Sequence, residues 1–113
     1  MLRIYFSIYN LCCDYYLGYR SVGCYKDDSN RAITIVEGTD PILDGSYHSR
    51  KNPIAKCAAT ALRKGYTMFA VQDGGHCQTS ATAAQTFDKY GVSDACRADG
   101  EGGPMANHVY SFQ

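Results

Sequence analysis

From Ser21 onward the apolar positions fall into short runs broken by Gly, Asp and Asn, and one stretch carries a helical repeat. Within Pro53 to Lys64, the residues Ile54, Cys57, Ala58, Ala61 and Leu62 recur on one face, while Lys56, Arg63 and Lys64 fall outside that stripe and can reach water. Asn52 suits an N-cap, and Pro53 suits the first helical position, where a missing N–H has no intrahelical partner to lose. Gly65 supplies the stop. The pattern therefore predicts a helix over 53–64 with Cys57 facing inward.

The other runs read as extended. Val22 to Lys26 is a short strand ending at the polar cluster Asp27-Asp28-Ser29-Asn30, and Arg31 to Val36 is a second extended piece. Tyr66 to Gln72 has apolar residues on both faces, which suits a central strand under the helix, and Asp73-Gly74-Gly75 is its turn. His108 to Phe112 alternates like a closing strand. Between these, Glu37 to Lys51 reads as a long ordered loop, Ser80 to Tyr90 as a short helix ending at Gly91, and Asp99 to Pro104 as a tight loop. Long loops in compact domains are often functional.

Composition narrows the class of protein. Eleven basic and eleven acidic side chains cancel, so there is no net field to gather nucleic acid or an anionic membrane surface. With 113 residues and 45% hydrophobic content, and with no internal repeat, the chain reads as one globular domain over 22–113. A chain of this size buries only about two thirds of its unfolded surface, so crosslinks are a plausible supplement to the core. Cys24, Cys57, Cys77 and Cys96 point to an oxidised, secreted domain. Cys57 on the helix and Cys77 beyond the next strand lie on a hairpin-like path that can return one sulfur to the other. Pairing Cys24 with Cys96 would then tie the first strand to the last third of the chain, for roughly 4 kcal/mol in the chain-entropy model. The crossed scheme stays open on sequence grounds.

The first 21 residues differ from the rest. Leu2 to Cys13 is apolar and aromatic but too short to span a bilayer. Arg3 is its only basic start and Gly18 its only small residue near a cleavage position, while Ser7 and Asn10 dilute the apolar run. Residues 1–21 read either as a signal segment or as an N-terminal extension, and Cys12 and Cys13 follow that choice.

Gly23-Cys24-Tyr25 with Asp27 and Arg31-Ala32 begins a longer pattern. Lys56-Cys57, Gly65-Tyr66, Phe69-Ala70-Val71-Gln72, Gly74-Gly75-His76-Cys77, Gly102-Gly103 and Val109-Tyr110 continue it. In order and spacing these resemble the WSC domain, over about residues 22–112. The resemblance implies an α+β fold of the PAN and apple group, with one main helix packed on a small twisted antiparallel sheet. It also implies an extracellular module that binds polysaccharide or acts in cell-surface recognition. The chain departs from the family at Ala61, Thr79 and Glu101, where further cysteines would fall, leaving four of the usual eight.

Five residues stand out as candidate ligand contacts. Gln72, Asp73 and His76 combine polar groups with an open backbone around Gly74-Gly75, as a hydroxyl-rich ligand would need, although turn chemistry explains them as well. Tyr25 and Tyr47 offer stacking platforms in a chain that has no tryptophan, with core packing as the plainer role. Asp40, Asp44, Asp99 and Glu101 lie in Gly-containing loops but match no EF-hand spacing and read as solvated acids. His76, Cys77 and His108 lack the short paired spacing of a zinc site, and a cysteine committed to a bridge is no nucleophile. No catalytic residue, metal or cofactor is expected. The expected partners are a carbohydrate or a cell-surface or matrix glycoprotein, with no nucleic acid and no membrane span, and other domains of a longer parent protein are compatible with the module. A protein-interaction or matrix module and a small secreted toxin or defence protein are the alternative readings.

Overall fold

The structure is a computed structural model that describes residues 18–113; the N-terminal segment with Cys12 and Cys13 lies outside the described residues. Four strands form one antiparallel sheet: β1 (Arg20–Lys26), β2 (Met68–Gln72), β3 (His76–Thr79) and β4 (Ala106–Ser111), in the order β1-β4-β2-β3. Helix α1 (Pro53–Lys64) packs on one face and the short helix α2 (Ala83–Thr86) lies on the other. The result is a small α+β fold held, among the described residues, by two disulfides, Cys24–Cys96 and Cys57–Cys77. Among the described residues no helix is long and apolar enough to cross a membrane.

Helix α1 begins and ends where Pro53 and Gly65 place it. Gly65 is left-handed at φ 79°, its N–H bonds the Leu62 carbonyl, and the Tyr66 N–H bonds the Ala61 carbonyl, which closes the last turn. The start differs from expectation. Asn52 is itself left-handed, with φ 51° and ψ 50°, rather than in the extended conformation from which a cap side chain reaches the first turn, and it makes no side-chain cap. The buried arc is Pro53, Cys57, Ala58, Thr60 and Ala61, so it is rotated towards Thr60 and leaves Leu62 38% exposed. Thr60 tolerates burial because its hydroxyl donates to the Lys56 carbonyl.

Alternation along the strands gives the sheet two different faces. Phe69, Val71, Cys77 and Tyr110 pack with Cys57, Ala58 and Ala61 of α1, and Tyr19, just before β1, sets its ring edge against Phe69 and Tyr110. On the opposite face Ala70 and Val109 pack with Ala32, Ile33 and Ala83, with Tyr25 and Phe87 at the margin. Thr86 and Tyr90 donate hydroxyl bonds to the carbonyls of Ala32 and Asn30, pinning the loop after β1 to the α2 segment.

Four features depart from the sequence reading. The segment expected to be extended over 31–36 is not a named strand; it makes one bridge, Ile35 to Gln78, and backbone bonds at Thr34 and Val36, so it lines the outer edge of β3. The stretch 80–90 is helical only over α2 and then turns to a left-handed Gly91. The strand β3 was not anticipated, and β1 starts two residues before the expected Val22. The outer side of β1 is met by residues 91–93, through Lys26 N–H to Gly91 and Ser93 N–H to Cys24. Both sheet edges are therefore partly covered, which protects against edge-to-edge pairing.

Candidate functional site

The β2–β3 hairpin turns through Asp73, Gly74 and Gly75, with φ 47° at Asp73 and φ 94° at Gly74. The Asp73 N–H donates to the Gly103 carbonyl and the Gly75 N–H to the Tyr47 carbonyl, at 3.1 and 2.8 Å. This last bond lays the long loop over the hairpin. Gly74 and Gly75 are buried beneath it, so the open glycine backbone expected there does not exist. A Cβ at Gly75 would lie 2.6 Å from Pro53 Cβ and 3.0 Å from the Tyr47 oxygen, which leaves room for glycine alone.

Arg50 fixes the loop in this position. Its side chain is fully buried; Nη1 and Nη2 meet the Glu37 carboxylate at 2.9 and 2.7 Å, Nη1 also reaches the Gly75 carbonyl, and Nε donates to the Asp44 carbonyl. Glu37 Oε2 accepts the Cys77 N–H as well. Burial alone would raise the Glu37 carboxyl, but the bonds from Arg50 and Cys77 outweigh it and hold it below its ordinary value.

With the loop in place, Tyr47 stands 4.5 Å from the His76 ring and 4.1 Å from the His48 ring, centroid to centroid. The Asp73 carboxylate sits between His48 Nε2 and Arg97 Nη2, each at 3.2 Å. His76 is held below the usual imidazole value, chiefly by burial. The structure thus brings Tyr47, Asp73 and His76 together and adds His48 and Arg97 to them. Neighbouring positions in sequence gave the only hints of these two: His48 follows Tyr47, and Arg97 follows the bridged Cys96.

Tyr25 and Gln72 lie elsewhere. Tyr25 sets its ring edge-on to Phe87 at 5.0 Å, within the packing of the second face. Gln72 is 5% exposed: its Nε2 donates to Asp27 Oδ2 and Asn107 Oδ1, and its Oε1 accepts from Arg31. It belongs to an internal polar network and not to the open surface, because its strand position faces the loop after β1. Three of the loop acids are committed to local partners. Asp40 pairs with Arg63, Asp44 with Lys56, and Asp99 accepts the Glu101 N–H.

No family model matches the chain, and neither characterised proteins nor solved structures give a significant match.

Proposed function

We propose that this domain is a secreted carbohydrate-binding module of WSC-like type, with its saccharide lying on the surface formed by Tyr47, His48, Asp73, His76 and Arg97. The observation that carries this reading is the convergence of Tyr47 from the long loop with Asp73 and His76 of the β2–β3 hairpin on one partly exposed patch. Sugars present an apolar ring face and a rim of hydroxyls. A tyrosine ring suits the first, and an ionised carboxylate flanked by N–H donors suits the second. The bidentate Arg50–Glu37 pair supports a preformed site by holding the Tyr47 loop before any ligand arrives. Two disulfides suit an oxidising, extracellular setting. The activity proposed is binding without turnover: Cys77 beside His76 and Cys96 beside Arg97 are both tied in disulfides and offer no nucleophile.

Glycan-array binding followed by titration tests the reading. Tyr47→Ala weakens the best saccharide about tenfold and Asp73→Asn about fivefold, with both disulfides intact. A folded domain that binds no glycan refutes it. Retention by extracellular material after enzymatic removal of glycans points instead to a protein partner.

A further inference from the structure

Arg31 reaches over the polar network on the second face of the sheet. Its Nη1 bonds Asp27 Oδ2 at 3.1 Å, Gln72 Oε1 at 3.2 Å and Met105 Sδ at 3.7 Å. Among the described residues nothing meets Nε or Nη2, and the side chain is 29% exposed. The anchored nitrogen is one end of the fork; the free edge, Nε with Nη2, is an edge that takes a carboxylate through two parallel bonds.

The acid beneath does not use up this capacity. Asp27 Oδ1 accepts the Ala32 N–H, and Oδ2 is shared among Arg31, Gln72 Nε2 and the more distant Gln78 Nε2. Its charge is therefore spread over four donors. Gln72 and His76 are directly paired across β2 and β3, so their side chains rise on the same face and place Arg31 next to the patch that begins at Tyr47.

We infer that the Nε–Nη2 edge of Arg31 is a subsite for the carboxylate of an acidic saccharide, with the sugar ring extending towards His76 and Tyr47. The inference rests on the saccharide reading above and names the class of glycan. A guanidinium already fixed by Asp27 and Gln72 loses little freedom on meeting a carboxylate.

The test is calorimetric titration of the full chain with a short oligogalacturonate and with the same oligosaccharide after reduction of its carboxyl groups. The acid binds about tenfold to a hundredfold more tightly than the reduced form. Arg31→Gln brings the two to equal affinity without weakening the reduced form, and Arg31→Lys, which keeps the charge but not the fork, loses most of the difference. Tyr47→Ala weakens both forms by the same factor. Equal affinity of the two forms for the unaltered protein overturns the subsite while leaving the saccharide reading in place; this comparison needs no variant to fold. Binding of neither form overturns the subsite, and the glycan array then decides the wider reading. Equal binding of a sulfated, carboxyl-free oligosaccharide overturns it too, because charge alone would then suffice.

Discussion

Arg50 and Glu37 meet fork to fork, Nη1 to Oε2 at 2.9 Å and Nη2 to Oε1 at 2.7 Å, with the arginine side chain fully buried. Because Arg50 also holds the carbonyls of Asp44 and Gly75, and Glu37 the N–H of Cys77, the pair fastens the Tyr47 loop to strand β3. Glu37→Gln leaves the buried guanidinium with only the more distant Asp44 carboxylate, 3.9 Å from Nε, and costs about 2–4 kcal/mol in urea unfolding with disulfides intact. Arg50→Lys costs a similar amount, since an ammonium cannot span the same acceptors. A loss under about 0.5 kcal/mol for both, the ordinary range of surface changes, would show that the loop is held by other means.

Acid weakens the fold in two stages. His76 and His108 lie below the 6.5 of an ordinary imidazole, in each case first because burial disfavours the cation. Their folded values are depressed, so their contribution is full above the unfolded value and is lost as pH falls below 6.5 towards the folded one. At Asp27 and Glu37 burial pulls the other way, but hydrogen bonds prevail and the carboxyls stay below 3.8 and 4.5. Their share is present above those values and is lost on further acidification. Denaturant midpoints measured down the pH scale should show an early shallow decline and a later steep one, and His76→Gln together with His108→Gln should flatten the first. A midpoint that stays constant through the imidazole range would contradict the burial of both rings.

The parts legible in sequence are those with local causes. Pro53 and Gly65 mark the ends of α1 whatever surrounds them, and the turn at Asp73-Gly74-Gly75 is written in residues that accept a positive φ. The helix and the turn after the next strand favour pairing Cys57 with Cys77 without excluding the crossed scheme, and the structure has that pairing. What was not legible depends on distant partners. His76-Cys77-Gln78-Thr79 has little strand patterning and is extended because β2 lies on one side and residues 34–36 on the other. Gln72 resembles an exposed strand end until Asp27, Arg31 and Asn107 arrive from other segments to satisfy it. The same is true of Arg50, whose four acceptor atoms belong to residues 37, 44 and 75.

The two disulfides differ in access. Cys57 and Cys77 are fully buried between α1 and the sheet, whereas Cys24 and Cys96 are both partly exposed. Thiol exchange needs an approach to sulfur, so a mild thiol reductant opens Cys24–Cys96 first. Pulsed alkylation with peptide mapping should label Cys24 and Cys96 well before Cys57 and Cys77; the reverse order would mean that α1 lifts from the sheet more readily than residues 91–104 open. The closed loops span 72 and 20 residues, for about 4 and 3 kcal/mol in the chain-entropy model. The more exposed bridge is thus the one whose loss relaxes the unfolded chain more.

Tyr110 gives an alkaline counterpart. Its ring stacks on Phe69 at 5.3 Å and on His108 at 4.7 Å, and its hydroxyl donates to the Gly100 carbonyl at 2.7 Å. Burial first, then the neighbouring Tyr19, Asp99 and Glu101, pushes its pKa up to about 12. A raised folded value means that the contribution is full below the ordinary 10.0 and is lost as pH climbs from there towards 12. Ultraviolet titration of the folded protein should show a late phenol step near 12, and Tyr110→Phe should remove it. The same change costs about 1 kcal/mol by orphaning the Gly100 carbonyl. If Tyr110→Phe leaves the late step in place, another tyrosine carries it and burial does not hold the Tyr110 phenol neutral.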